Sequence, residues 1–270
     1  MEREKIKDYY AHDIEAHRLN AEYFKLEGIR TKEIIERYLS KDGLEILDVG
    51  GGAGFYSFWL QSKGHHVTLL DLTPRNIELA QIHSEASGTK LKEARVGDAV
   101  NLPFPDIHFD IVLMLGPLYH LTDRQERIKA VAEAKRVLKS GGVLLAAVIS
   151  RYASVFDGFQ RDLVFDEQFF KLMTDDINEG IHRNETNKLD YFTTAYFHTP
   201  AELQSEVVDS GLKFEKMIAI ESFGWIVRKF KEKMMDPSYM EKLLSTIRSV
   251  EENQDLMAMS LHVMAVGRKG

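Results

Sequence analysis

Residues 46–54 read Ile-Leu-Asp-Val-Gly-Gly-Gly-Ala-Gly, a short apolar run that stops abruptly in glycines. The run has the composition of a buried strand, and the glycines that follow can adopt positive φ and let the backbone approach a ligand closely. The stretch therefore predicts a strand ending at Val49 and a tight turn into a helix. In open α/β folds such a turn sits at the carboxyl edge of the sheet, where ligands bind. Spacing narrows the reading. A dinucleotide fingerprint needs Gly-x-Gly-x-x-Gly, and counted from Gly50 and Gly52 its last position falls on Phe55. The pattern present is Asp48-x-Gly50-x-Gly52-x-Gly54. Taken alone, it is also compatible with a tight connection and nothing more.

The chain around this turn alternates strand and helix. Residues 2–40 carry apolar positions at steps of three to four, a helical period that Gly43 interrupts. After the glycine turn come a helix over 55–63, a strand over 67–71, and a helix over 74–87 opened by Pro74 and stopped by Gly88. Strands follow near 91–96 and 109–115, then a helix over 123–138, and Ser140-Gly141-Gly142 turns the chain into a strand over 143–149. This alternation predicts a doubly wound, mostly parallel sheet, whose strands are apolar on both faces. Residues 151–198 break the pattern and read as a helical cap insertion. A helix starting at 199–202, a strand near 213–220, a helical insertion over 222–255 and a strand over 261–267 complete the chain. The organisation expected is one domain: a helical lid over 1–40, a core over 44–150, the cap, and a C-terminal part over 199–270.

Composition excludes several classes. With 270 residues, 44% of them hydrophobic and 29% charged, the chain can bury a sizeable core and is not mainly disordered. Lys and Arg number 35 against 42 Asp and Glu, a net charge of −7, which argues against nucleic-acid binding by general electrostatics. Cysteine is absent, so there are no disulfides, thiolate metal sites or cysteine nucleophile. The apolar stretches 111–121 and 143–149 are far shorter than the ~20 residues of a spanning helix. The charged first residues lack the apolar run of a signal peptide. A soluble, cytoplasmic protein away from membranes is expected, and no motif bears on its oligomeric state.

Acidic residues close two of the predicted strands. Asp71 ends the second, where a carboxylate can accept hydrogen bonds from ribose hydroxyls; a helix cap is the plainer reading. Gly97-Asp98-Ala99 follows the third, and a short polar side chain there can meet an adenine amino group, although Asp after Gly is often only a turn residue. Asp110 and residues 136–142 read as structural.

The ordered set Asp48-x-Gly-x-Gly-x-Gly, Asp71, Gly97-Asp98-Ala99, Phe109-Asp110 and Arg136-Val137-Leu138-Lys139-x-Gly141-Gly142 resembles the class I S-adenosylmethionine-dependent methyltransferases over residues 44–150. Three further segments resemble a bacterial subgroup of that family: Leu-Gly-Pro-Leu-Tyr-His-Leu at 115–121, a Tyr-rich opening ending in Arg-Leu at 9–19, and Tyr-Phe-His-x-Pro-x-Glu-Leu at 196–203. The resemblance implies a seven-stranded Rossmann-like sheet whose last pair is antiparallel, with S-adenosyl-L-methionine as cofactor. It implies that Gly50, Gly52 and Gly54 line the methionine portion while Asp48 orients the turn. Asp71 is then expected on the ribose, Leu72 on the adenine, Asp98 and Ala99 at the adenine edge, the Leu115 carbonyl near the amino group, and Tyr119 at the sulfonium. Tyr10, on the N-terminal lid, is expected to touch the cofactor.

The reaction class follows from that cofactor: a methyl passed in line to a small-molecule acceptor, mainly by positioning and desolvation. His120, beside Tyr119 at the mouth of the sheet, is a candidate base because an ordinary histidine titrates near neutrality. It can equally cap the next helix. Arg151, directly after the fifth strand, is a candidate acceptor contact, and His198 reads as structural. No histidine spacing suggests a metal. Rival readings are an RNA or DNA methyltransferase, although 115–118 lacks the polar residue that opens the base-amino motif, and a non-catalytic S-adenosylmethionine-binding protein. A nicotinamide enzyme has the wrong glycine spacing.

Overall fold

In the computed structural model, which describes Ile6, Tyr9 and residues 25–186 and 188–270, the apolar strands assemble into one seven-stranded sheet with helices on both faces. Helix α1 (Lys25–Glu36) leads into β1 (Glu45–Val49), α2 (Phe55–Ser62), β2 (His66–Asp71), α3 (Pro74–Ser87), β3 (Glu93–Val96) and β4 (Phe109–Met114). A 3₁₀ turn (Pro117–His120) precedes α4 (Arg124–Val137) and β5 (Leu138–Ile149). Then come α5 (Ala153–Gln160), α6 (Glu167–Glu179), β6 (Ile181–His182), β7 (Ala195–Tyr196), α7 (Pro200–Asp209) and β8 (Lys213–Ala219). A second 3₁₀ turn (Ser222–Ile226), α8 (Phe230–Met234), α9 (Pro237–Val250), α10 (Gln254–Met257) and β9 (His262–Arg268) finish the chain. Local signals set these bounds. Pro74 stands in the first turn of α3 and Gly88 closes it at φ +70°; the Asp123 carboxylate accepts the Gln125 and Glu126 N–H groups that α4 leaves unpaired.

The strand order is β3-β2-β1-β4-β5-β9-β8. The first five are parallel, and β9 runs antiparallel to both β5 and β8. The chain leaves β1 toward β2 on one side and returns at β4 on the other, so the carboxyl ends of β1 and β4 form the topological switch point where such sheets bind ligands. The reversed β9 contributes its first residue to this same edge, because His262 pairs with Ile149, the last residue of β5.

Alternation along β1 divides the core. Leu47 and Val49 join Val131 and Ala134 of α4 and Leu203 and Val207 of α7. Ile46 joins Ile34 and Ile35 of α1 and Leu60 of α2. Each fully buried Leu or Ile contributes about 1.5–3 kcal/mol, so both faces hold the sheet. Asp48 falls on the same face as Ile46, the fully buried carboxylate of a strand whose other one, Glu45, stands half-buried at its start.

Two expectations need correction. The fifth strand begins at Leu138, not at residue 143: Phe109 pairs with Leu138 and Ile111 with Val143, so Ser140-Gly141-Gly142 forms a bulge inside the strand. Space demands this local shape, since a Cβ on Gly142 would lie 2.9 Å from the Lys139 carbonyl oxygen. The insertion after β5 is also not wholly helical. Beside α5 and α6 it carries the ribbon β6–β7, whose two-residue strands are too short to leave a period in the sequence. No helix among the described residues is long and apolar enough to cross a membrane.

Candidate functional site

The carboxyl ends of β1, β2 and β4 open onto a cavity of about 570 Å³, within the range of small-molecule and cofactor sites. The glycine turn forms its floor. Gly50 adopts φ +69°, its N–H donates to the Leu70 carbonyl at 2.7 Å, and an added Cβ would lie 2.9 Å from Pro117. Only glycine lets the turn and the Pro117–His120 segment close up. Gly52 has φ +58° and meets nothing within 4 Å of an added Cβ. Its N–H donates to Oδ2 of Asp71 at 2.9 Å, which joins the ends of β1 and β2. Gly54 is the N-cap of α2. Gly51, which the spacing argument passes over, is as constrained as any of these: a Cβ there would sit 2.5 Å from the Asp48 carboxylate and 2.6 Å from Leu69.

Asp48 is 1% exposed. Its Oδ2 accepts the Ser57 hydroxyl at 2.7 Å, and its buried Oδ1 has no hydrogen-bond partner among the described residues. Burial pushes the carboxyl up to about 6; the Ser57 hydrogen bond opposes this and the Asp71 charge adds to it. Asp71 is buried as well, and burial raises its pKa against the hydrogen bonds from Thr73, Asn76 and Gly52. Oδ1 accepts the Thr73 N–H at 2.8 Å and the Asn76 amide at 3.0 Å, Oδ2 accepts the Gly52 N–H, and the Thr73 side chain adds a further hydrogen bond. With about four lone-pair positions on a carboxylate, these four donors fill it, and a ligand hydroxyl there has to replace one of them.

Leu72, Asp98, Ala99, Leu115, Tyr119 and His120 also line the cavity, so the structure brings together every one of the expected residues that it describes except Arg151. Asp98 additionally accepts the Val100 N–H at 3.1 Å, the turn role that its neighbours suggested. The rings of Tyr119 and His120 meet edge-on at 4.6 Å, and both approach Phe192. His120 places Nδ1 3.4 Å from the Thr194 carbonyl oxygen, and burial lowers its pKa to about 4. The near-neutral titration assumed for it does not hold. Ile6 lines the cavity and Tyr9 packs edge-on against Phe192, whereas Tyr10 lies outside the described residues.

Arg151 is elsewhere. Its guanidinium donates to the Phe197 carbonyl at 2.7 Å and to both Glu202 carboxylate oxygens at 2.8 and 2.7 Å, fixing ribbon β6–β7 against α7. Position after a strand end suggested an acceptor contact, but Glu202, which also closes the capping box with Thr199, holds this side chain away from the cavity. His198 is fully buried against Glu206, as a structural residue would be.

Glu27, Ile220 and His262 line the same cavity and were not anticipated. Glu27, Glu221 and His262 bring potential ligand atoms within 4.8 Å of one another, a grouping that no histidine spacing in the sequence announces. The reversal of β9 is the signal that places His262 here.

Comparison with known proteins places the glycine turn in context. Residues 47–146 match a family model described as a methyltransferase domain. A ubiquinone biosynthesis O-methyltransferase from Methylocella silvestris is 33% identical over 144 residues, covering 51% of this chain and 52% of that protein. The chain thus spans about half of that relative's length. A protein of the same name from Xylella fastidiosa is 28% identical over 217 residues, 79% of this chain and 78% of the other. A solved S-adenosylmethionine-dependent methyltransferase from Methanosarcina mazei shares the fold with a TM-score of 0.61 at 23% identity, over 87% of this chain and 96% of that one. Residues 47–146 are thus similar to a methyltransferase domain, and the fold around them is that of a solved S-adenosylmethionine-dependent methyltransferase.

Proposed function

We propose that the protein transfers a methyl group from S-adenosylmethionine to an oxygen of a small-molecule acceptor. The observation that carries this reading is the joint at the cavity floor: the Gly52 N–H on Asp71, with the partnerless Oδ1 of Asp48 beside it. The fit is chemical. A buried carboxylate oxygen without a donor suits an ammonium group, and the open side of Gly52 leaves room for a chain lying across the turn. In this reading Gly50, Gly52 and Gly54 hold the methionine portion, and the Leu115 carbonyl and Asp48 receive its amino group. Asp71 takes the ribose, whose hydroxyls replace the Thr73 side-chain and Gly52 hydrogen bonds on its carboxylate. Leu72, Asp98 and Ala99 enclose the adenine, and Tyr119 faces the sulfonium.

The cofactor brings a methyl already activated by the sulfonium. What the chain supplies is alignment and exclusion of water, and alignment alone is worth as much as ~7–11 kcal/mol. Tyr119, Leu115 and Ile220 give the cavity an apolar wall suited to that task. The relatives named for O-methyl transfer in ubiquinone biosynthesis support an oxygen on a small, ring-bearing acceptor.

Calorimetry with S-adenosylhomocysteine and NAD tests the binding half. Tight binding of the former alone, weakened at least tenfold in Asp71→Ala, is the expected result. Methyl-labelled cofactor offered with hydroxylated aromatic probes and, in parallel, with RNA tests the transfer half. Label entering only RNA would replace the small-molecule reading, and preference for NAD would remove both.

A further inference from the structure

Of the histidines lining the cavity, His120 and His262 are held in opposite ways. His120 has the Thr194 carbonyl near Nδ1, and burial resists its taking a proton. His262 has its Nδ1 2.7 Å from Oε1 of Glu221. Glu221, 3% exposed, is fixed in turn: its Oε2 accepts the Ser260 hydroxyl at 2.9 Å and the His262 N–H at 3.0 Å. Ser260 also accepts the backbone N–H groups of Glu221 and Ser222. A carboxylate locked on Nδ1 selects the Nδ1–H tautomer and makes Nε2 the nitrogen that exchanges protons. A second cavity, about 480 Å³, adjoins this place: it shares Glu27 with the first and is bounded by Glu221, Leu261, Trp225 and Phe230.

We propose that His262, oriented by Glu221, is the general base for methyl transfer, and that it meets the acceptor hydroxyl where the two cavities join, the acceptor's apolar body lying against Trp225 and Phe230. The inference rests on the function proposed above. In the step, a lone pair of the acceptor oxygen forms the O–CH₃ bond while the S–CH₃ bond breaks and leaves its electron pair on sulfur. The hydroxyl proton passes to Nε2, and the resulting imidazolium faces the Glu221 carboxylate. Glu27 of α1 is the other carboxylate at this place, Tyr119 and His120 share the cavity, and Arg30 is turned to Glu33 and Glu251. His262 acts on the acceptor directly; Glu221 is a positioning residue.

Histidine NMR on the full chain tests this without any turnover, with His262 assigned by the signal lost in His262→Gln. The Nδ1–H tautomer is expected near neutrality, with a midpoint above that of His120, falling by a unit or more in Glu221→Gln. An Nε2–H tautomer, or a midpoint indifferent to Glu221→Gln, overturns the proposal. In the transfer assay with hydroxylated aromatic probes, His262→Gln lowers kcat 10²–10⁴-fold and leaves S-adenosylhomocysteine affinity within about twofold. Added imidazole restores part of the rate, and Glu221→Gln moves the acidic limb of kcat/KM to lower pH. Full activity in His262→Gln overturns the proposal while leaving methyl transfer standing. A rate abolished by chelator and restored by Mg²⁺, with equal losses in Glu27→Gln and His262→Gln, overturns it in favour of a cation. If wild type binds no S-adenosylhomocysteine, it is the functional reading that falls, and the NMR result still decides the tautomer.

Discussion

Asp48 carries the energetic cost of a buried carboxylate. Its carboxyl titrates from the ordinary 3.8 up to about 6 because burial disfavours the charge. A group whose folded pKa is raised contributes its stability below the unfolded value and loses it as pH climbs through the folded one. Between about pH 4 and 6 the fold thus loses at most roughly 3 kcal/mol at this one position. Asp48→Asn removes that dependence and keeps an acceptor for Ser57, while leaving an amide N–H unpaired at a cost of about 1–2 kcal/mol. The variant is expected to be about 1–2 kcal/mol more stable than wild type at pH 7, and no more stable at pH 4.5, by urea unfolding. It is also expected to bind S-adenosylhomocysteine more weakly, the trade between stability and function common at such sites. A variant less stable at pH 7 would show that the carboxylate is not the strained group described. Gly51→Ala presents the opposite case: its Cβ collides with Asp48 and Leu69, so destabilisation by about 1–3 kcal/mol accompanies any loss of binding.

At the scale of elements, buried ion pairs decide how the C-terminal half is held to the sheet. Arg127 on α4 and Glu206 on α7 are both almost fully buried and meet at 2.8 Å. Arg127 also donates to the Leu121 and Thr122 carbonyls behind the Pro117–His120 turn and lies 3.8 Å over the Tyr196 ring. Arg127→Ala removes the cation from Glu206, leaving it His198, and is expected to cost about 3–5 kcal/mol, whereas Arg127→Met combined with Glu206→Gln, which keeps a partner for His198, recovers part of it. A double-mutant cycle by chemical denaturation reads the difference, and additive losses would count against the coupling. Arg151→Ala should lower stability and leave S-adenosylhomocysteine affinity within about twofold, since its partners are Glu202 and Phe197 and not the cavity. These pairs mark the boundary of what the sequence makes legible. Strand and helix periods locate β1, β2, β4, α2, α3 and α4 within a residue or two, because each period is a local property. Gly50, Gly52, Asp71, Asp98 and Tyr119 are legible for the same reason, lying at element ends whose place in the sheet follows from alternation. Arg151 is misread because its partner lies on α7, beyond the ribbon. His262, Glu221 and Glu27 go unseen because the two ends of the chain meet only when β9 reverses beside β5.

For the molecule as a whole, the switch point makes ligand binding and global stability one equilibrium. The cavity is walled by the ends of β1, β2 and β4, by the Pro117–His120 turn and by Ile220 and His262 near the C-terminus, so a ligand there contacts the sheet on both sides of its centre. A ligand that binds only the folded chain adds about 2.7 kcal/mol at a hundredfold excess over its Kd. For a chain of 270 residues, with an unfolding entropy of about 2 cal/mol/K per residue, this raises Tm by about 5 °C. Asp71→Ala leaves the Gly52 and Thr73 N–H groups without their acceptor, so its own Tm falls before any ligand is added, and the informative quantity is the shift. If the lost ribose contact weakens binding a hundredfold, the same concentration only equals the new Kd and moves Tm by about 1 °C. Scanning calorimetry of both proteins, with and without S-adenosylhomocysteine, reads all four values. A 5 °C shift that survives Asp71→Ala would place the ligand somewhere other than the edge of β2, and the glycine turn would then be a connection without a cofactor upon it.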